Sequence, residues 1–552
     1  MRYRFAFLLC GLLLPLLTSA QLLQTKQAFT RADSLRGSLT PLRTCYDITY
    51  YHLNVKLDVD KRHLGGSNLF RFTATQDFTR LQFDLFANMT VEKVVYKNWE
   101  LPFTREANAV FVTFPEPVKK GSREAFTVHY SGKPVVAENA PWDGGFVFTQ
   151  DAQGKPWVAT ACQGTGASLW WPTKDHQSDE VDSMLISVSV PKGLKDVSNG
   201  RLRKITKLKG GYTRFDWFVV NPINNYNVAL NVGNYQHFSD GTYAGEKGPL
   251  TLDYWVLPEN LAKAKQQFAA NVRPMLKSFE YWFGPYPFYQ DGYKLVEAPH
   301  LGMEHQSAVA YGNKYQNGYL GKDRSATGWG DKWDFIIIHE SGHEWFGNNI
   351  TAKDIADMWI HESFTCYSEG LFTESLFGKP AGQAYVHGQR RHIQNDRPLI
   401  GPYGVNHEGS GDMYDKGANL LNMVRTIVND DAKWRQILRG LGQEFYHQTV
   451  TTEQIVDYVN QQSGLNLTPV FNQYLRHNSL PILEFRFEQG KTFARWVANV
   501  PGFTMPVRVR ARGGEYQFIS PNTKFAPVEL PGVTKENLEV DTFNYYIGVL
   551  VD

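Results

Sequence analysis

The chain has 552 residues, 42% of them hydrophobic and 20% charged, with a formal net charge of +2. That length exceeds what one hydrophobic core fills and predicts several domains. The near-neutral balance gives no electrostatic basis for a nucleic-acid or anionic-membrane partner.

The first residues read as a secretory signal peptide. Arg2 and Arg4 give a basic start, Phe5 to Leu17 an apolar run, and Thr18-Ser19-Ala20 a small-residue cleavage site. The run is short for a retained anchor, and no later stretch is long and apolar enough to span a bilayer. Residues 1–20 are therefore expected to be removed, leaving a secreted or periplasmic protein with no membrane span in the mature chain. Without Cys10, the cysteines are Cys45, Cys162 and Cys366. So odd and widely spaced a set is no disulfide framework.

A linker is expected over 21–44, followed by a β-rich domain over 45–249. Leu53, Val55, Leu57 and Val59 alternate with polar residues at the period of a half-buried strand, and Gly65-Gly66 marks a turn. Over 250–479 the pattern becomes helical. Helices are predicted at Ala262–Trp282, Trp333–Asn348, Asp354–Leu376 and Lys416–Val428, with stop signals at Gly284-Pro285 and Gly378-Lys379-Pro380. Thr451 and Gln454 have capping-box spacing ahead of another. From 480 to 552 the chain returns to short alternating strands, a small terminal β domain. The fold class is multidomain α+β.

His339-Glu340-Ser341-Gly342-His343 falls inside the predicted Trp333–Asn348 helix. Residues four apart share a helix face, so both imidazoles can reach one zinc ion, with Glu340 beside them to hold a water. A catalytic zinc takes three protein ligands and keeps one position open. Glu362, with 18 residues between it and His343, lies on the following predicted helix, from which a helix–loop–helix return brings it to the metal.

This spacing, with Trp345-Phe346-Gly347-Asn348 and Trp359 around it, resembles the M1 family of metallopeptidases, the gluzincin aminopeptidases. The resemblance implies that His339, His343 and Glu362 bind one zinc per chain and that Glu340 is the general base. His361-Glu362-Ser363 stands where the family usually has Asn-Glu-Gly. Leu301-Gly302-Met303-Glu304-His305 resembles the family's G-x-M-E-N exopeptidase motif, after a matching Phe283-Gly284-Pro285-Tyr286-Pro287 lead-in. It gives Glu304 the substrate's free α-amino group and gives Gly302 and Met303 backbone contacts to substrate. Leu301 and His305 replace the usual Gly and Asn. Tyr414-Asp415-Lys416-Gly417 resembles the Y-x-K-G segment, whose Tyr hydrogen-bonds the oxyanion. Ala161-Cys162-Gln163 and the later Asp175 resemble the Q-C-Q or Q-C-E and P-C-x-D segments. They assign Gln163 to the amine and first-side-chain subsite, with Ala161 and Thr173 as departures.

The family's architecture implies a saddle-like N-terminal β-sheet domain, a thermolysin-like, mostly helical catalytic domain and a small C-terminal β-sandwich-like domain. A chain ending at Asp552 leaves no room for the large helical C-terminal domain of many members, so an open or dimer-closed cleft is expected. The expected activity is zinc-dependent removal of residues from peptides with a free N-terminus. Three other readings remain. An endopeptidase of the gluzincin class would share the zinc chemistry but lack the amine anchor. One branch of the family is an epoxide hydrolase. A non-enzymatic scaffold would have lost a ligand or the base.

Overall fold

A computed structural model describes residues 28–552, so the signal-peptide reading lies outside the described residues. The stretch expected as a linker carries two short helices, Arg31–Gly37 and Pro41–Thr44. Thr30 and Asp33 close the first with a reciprocal capping box. Arg43 ties them down: its fully buried side chain pairs with Asp84 at 2.5 Å. Removing either partner would leave a buried charge uncompensated, which costs about 3–5 kcal/mol.

The first β domain is built on an eight-stranded sheet. Its strand Tyr46–Asp58 pairs antiparallel with His63–Ala74 and parallel with Met184–Pro191. Leu53, Val55 and Leu57 are buried along one face, as their alternation predicts. Gly65-Gly66 is not the turn. Both glycines lie inside His63–Ala74, opposite Lys56 and Val55, and the chain turns just before that strand. Gly66 is there for close approach: a Cβ would meet the carbonyl oxygen of Asn54 at 1.9 Å.

The next sheet has five strands, ordered Gln236–Gly245, Gly248–Val256, Tyr293–Glu297, Val309–Tyr311 and Gly302–Met303. Gln236–Gly245, which a boundary at 249 gives to the first domain, belongs to this second sheet by its pairing with Gly248–Val256. Gly302–Met303 is the outermost strand.

Against this sheet pack the helices Leu261–Phe283 and Phe335–Gly342, with Trp359–Phe377 packed on those helices and Asp415–Val428 beyond it. The helix expected over Trp333–Asn348 is only Phe335–Gly342. The Asp334 carboxylate caps its start by accepting from the N–H groups of Ile336 and Ile337. Past Gly342 the chain turns tightly, with Gly347 at a φ of 124° donating to the carbonyl of Ile350. His343 keeps helical angles (φ −62°, ψ −20°), so the four-residue spacing still sets both histidines on one face. The stretch from Asp354 begins with a tight 3₁₀ turn, Ile355–Asp357, and becomes α-helical only at Trp359. That helix stops at Gly378 (φ 90°), where Pro380 opens the next, Lys379–Gly388.

The last β region holds a four-stranded and a three-stranded sheet, centred on Ile482–Glu488 with Lys491–Val497 and on Val507–Ala511. Its buried Leu483, Phe485 and Trp496 form one core with the catalytic helices. A second core joins the first β domain to Met303, Ala308 and Ala310 of the five-stranded sheet. The outer strand Gly302–Met303 therefore sits at the seam between the two cores. No described helix is long and apolar enough to cross a membrane. Cys45, Cys162 and Cys366 are buried free thiols.

Candidate active site

At that seam lies a cavity of about 980 Å³, lined by all nine of the expected site residues: Gln163, Gly302, Met303, Glu304, His339, Glu340, His343, Glu362 and Tyr414. The Phe335–Gly342 helix presents His339 and Glu340, and the antiparallel neighbour Trp359–Phe377 presents Glu362 in its first turn. Gly342 lets these helices close: a Cβ there would sit 2.7 Å from the hydroxyl of Ser368.

One Glu362 oxygen, Oε2, lies 3.3 Å from His343 Nε2 and 3.7 Å from His339 Nε2. Ligands held about 2.0–2.1 Å from a tetrahedral zinc are separated by roughly 3.3 Å, so the spacing suits that ion. The outer nitrogens are fixed. His339 Nδ1 donates to Glu369 at 2.7 Å, and His343 Nδ1 donates to the carbonyl of Phe346 at 3.0 Å. This fixes the tautomer that leaves each Nε2 lone pair facing inward. Glu362 Oε2 is buried and accepts no hydrogen bond from the described residues. Two imidazoles and an orphaned carboxylate oxygen so placed could hold a metal ion, and they fit the donor set of a catalytic zinc centre.

Glu369 is a site residue that the sequence reading missed. It stands seven residues after Glu362, two helical turns along the same face, and its second oxygen is held by Tyr385 at 2.7 Å and Gln389 at 2.9 Å. The helical period was the available signal.

Around the ligand set stand the remaining groups. Glu304, Glu340 and His343 bring one donor atom each within 4.8 Å of one another. The Glu304 carboxylate accepts from the Tyr226 hydroxyl at 3.1 Å, and the Glu304 carbonyl accepts from Asn348 at 2.8 Å. Tyr226 is a second residue that sequence alone did not reveal. Burial, reinforced by charged carboxylates nearby, raises the proton affinity of both Glu304 and Glu340 above the ordinary range. Gly302 presses on Glu340: a Cβ would lie 2.7 Å from its carboxylate oxygen. Gln163 reaches in from the β domain and donates to Glu362 Oε1 at 2.9 Å. Tyr414 immediately precedes the Asp415–Val428 helix, with its ring 5.9 Å from that of His339. Burial and the Glu362 charge push its phenol well above its usual value, which keeps it protonated as a donor.

Residues 268–474, which carry this arrangement from the Glu304 strand to beyond Tyr414, match the family model described as the peptidase family M1 domain. Over that segment the chain is similar to peptidase family M1. It is 25% identical over 377 residues to aminopeptidase B of Homo sapiens, spanning 65% of this chain and 53% of that protein. It is 25% identical over 440 residues to leukotriene A-4 hydrolase of Xenopus laevis, spanning 74% of this chain and 67% of that protein. The chain thus spans about half the length of the aminopeptidase B relatives it matches. A mutant M1 zinc metallopeptidase from Deinococcus radiodurans bound to a Tyr-Ser-Ala substrate shares the fold, with a TM-score of 0.66 and 21% identity. The alignment covers 81% of this chain and 98% of that one.

The departures from the M1 pattern have structural partners. Ser363 donates its hydroxyl to the carbonyl of Met413 at 2.7 Å. Gly417 makes room for it, since a Cβ there would fall 1.8 Å from the Ser363 oxygen. His361 accepts from the N–H of Ala352 through Nε2 at 2.7 Å. The Ser363 contact pins the Glu362 turn to the Tyr414 segment, and the His361 contact ties it to the strand Ile350–Ala352. His305 is buried beside the Glu304 strand, its ring 6.5 Å from that of His300.

Proposed function

We propose that this protein is a zinc-dependent aminopeptidase that hydrolyses the first peptide bond of substrates with a free N-terminus. The observation that carries the reading is the buried carboxylate of Glu304, within 4.8 Å of His343 and Glu340. A buried carboxylate so placed is costly unless a cation meets it. A peptide's α-ammonium does so, and it fixes the first carbonyl over the ligand set. An endopeptidase has no use for this charge at that position, and no residue favours epoxide hydrolysis or a scaffold role.

His339, His343 and Glu362 would hold the metal. Zinc bound there lowers the pKa of water towards about 7 and polarises a carbonyl. Glu340 takes the proton of the attacking water and delivers it to the leaving amine. Tyr414 donates its phenolic O–H to the developing oxyanion. Gln163 holds Glu362 and bounds the space for the first side chain. The outer strand Gly302–Met303 offers its unpaired backbone edge to an extended peptide, the pairing by which sheet edges take up substrate chains.

We also place the mature protein in a periplasm or outside the cell, on the basic, apolar and small-residue order of residues 1–20.

Mass analysis of a defined peptide over time tests the activity. Stepwise loss of single residues from the N-terminus, abolished by a chelator and restored by zinc, is the expected record. Internal cleavage as the first event contradicts it.

A further inference from the structure

The near-neutral total charge conceals a local concentration of cations. Between Lys192 and Arg214 stand eight lysines and arginines against one acid, the buried Asp196. Most of them belong to a hairpin at one end of the eight-stranded sheet. Its outermost strand, Arg201–Leu208, pairs antiparallel with Tyr212–Val219 and leaves its other side open.

Three of the eight are engaged. Arg201 donates to the carbonyl of Tyr289 at 3.2 Å, Lys195 donates to the carbonyl of Tyr235 at 2.5 Å, and Arg214 pairs with Asp216 at 3.0 Å. The other five are Lys192, Arg203, Lys204, Lys207 and Lys209. All are exposed, and among the described residues no hydrogen bond or ion pair reaches their side-chain nitrogens. The backbone N–H of Lys192 donates to the carbonyl of Gly211 at 2.8 Å, which sets Lys192 at the hairpin's tip. From Arg203 to Lys209 the extended chain covers roughly 20 Å. Neighbouring charges therefore lie about one Debye length apart or less, and they act on an anion together. Two acids, Asp58 and Asp60, come near this end of the sheet, but Asp58 is paired with Lys61 at 3.2 Å. Lys56 adds a further cation, 3.9 Å from the centre of the Tyr212 ring.

The hairpin leaves the core as it advances. Leu202 packs against the first core, whereas Ile205, opposite the buried Phe215, is 55% exposed. Leu208, opposite Tyr212, is exposed too. Gly210 and Gly211, at φ of 77° and 76°, reverse the chain in open space. Lysines on an edge strand discourage pairing with other strands. That role does not call for two aliphatic side chains left open between them. A surface that is negative outside and apolar beneath does. Lysine stems can lie along such a surface with the ammonium at the phosphates, while apolar neighbours enter below them. A soluble polyanion would use the cations and leave Ile205 and Leu208 in water.

We propose that this hairpin tip docks the protein on an anionic lipid surface, with its five free cations at the headgroup phosphates and Ile205 and Leu208 at the acyl boundary. Each cation near such a surface strengthens binding by about fivefold. The hairpin's root is firm. The N–H of Gly200 donates to the hydroxyl of Ser307 at 2.9 Å, and Arg201 donates to Thr251 at 3.0 Å. The tip can therefore take up lipid while the cleft keeps its shape.

The test is co-sedimentation of the full chain with vesicles of phosphatidylcholine, alone or with one-third phosphatidylglycerol. Binding to the anionic vesicles should exceed binding to the neutral ones at least tenfold and should fall with added salt. Lys204→Glu with Lys207→Glu should cut it at least tenfold. Lys120→Glu with Arg123→Glu, near Thr73 at the opposite end of the sheet, should leave it unchanged. Ile205→Ser with Leu208→Ser should weaken vesicle binding severalfold and leave binding to soluble polyphosphate as it was. Thermal unfolding of each variant checks folding. Equal binding to both kinds of vesicle, binding to neither, or an equal loss from the two pairs of charge reversals overturns the docking site. Polyphosphate held as tightly as anionic vesicles, with the serine substitutions without effect on either, overturns the lipid surface in favour of a soluble polyanion.

Discussion

His339 Nδ1 donates to the Glu369 carboxylate at 2.7 Å, so the first zinc ligand is oriented by a residue from the helix that supplies the third. Such outer partners fix ring orientation and raise ligand basicity, and their loss typically weakens metal binding by about 10–100-fold. Glu369→Ala should therefore lower zinc affinity by that order, measured by competition with a chromogenic chelator. Activity should return at high added zinc. Unchanged affinity would make Glu369 a packing residue.

Glu340 has a different task. Replacing it with Gln keeps the shape and all three ligands but removes the base. Turnover should be lost while metal content, measured by atomic emission on the same sample, stays at one zinc per chain. Substantial residual hydrolysis would mean that another group takes the proton.

Tyr414→Phe removes one donor to the oxyanion. The rate constant kcat should fall by about a hundred- to a thousandfold. KM should move little, since the bond forms mainly in the transition state. A change confined to KM would place the phenol against the substrate's ground state.

Much of the zinc set was legible because its logic is local. The four-residue histidine spacing survived a helix half the expected length, since His343 keeps helical angles beyond the helix's end. Other features depend on contacts that no local pattern encodes. Arg43 reads as an ordinary coil charge until Asp84 meets it across 41 positions. Tyr226 reaches Glu304 across 78, and Gly302 is demanded by Glu340 packed against it from another element. Gly65-Gly66 was misplaced for the same reason. A glycine pair signals a turn by composition, and only the neighbouring strand reveals that close approach requires it.

The buried His176 gives a pH dependence of stability. Its Nε2 donates to the carbonyl of Gly37 at 3.2 Å, while Nδ1 accepts from the N–H of Ser178 at 3.1 Å. The neutral ring satisfies both contacts. Burial, with Arg43 adding to it, lowers its pKa to about 3 from an ordinary 6.5. Between those values the unfolded chain binds the extra proton. The contribution of His176 is therefore complete above about pH 6.5 and is lost as pH falls towards 3. His176→Gln should cost stability at pH 7.5, and its deficit in a denaturant titration should shrink at pH 5. An equal deficit at both would mean that the fold leaves the ring's proton affinity unshifted.

The amine anchor separates an aminopeptidase from other zinc hydrolases, and one comparison addresses it. The same peptide is offered with a free and with an acetylated N-terminus, and the initial rates are measured on wild type and Glu304→Ala at equal zinc content. An acetyl cap removes the positive charge and leaves Glu304 buried without its partner, a loss of the order of 2–5 kcal/mol for a truncated buried pair. Wild type should release the first residue of the free peptide and leave the acetylated one intact, and Glu304→Ala should slow the first reaction strongly and narrow the difference. Internal cleavage of the acetylated peptide as fast as the free one would contradict the account.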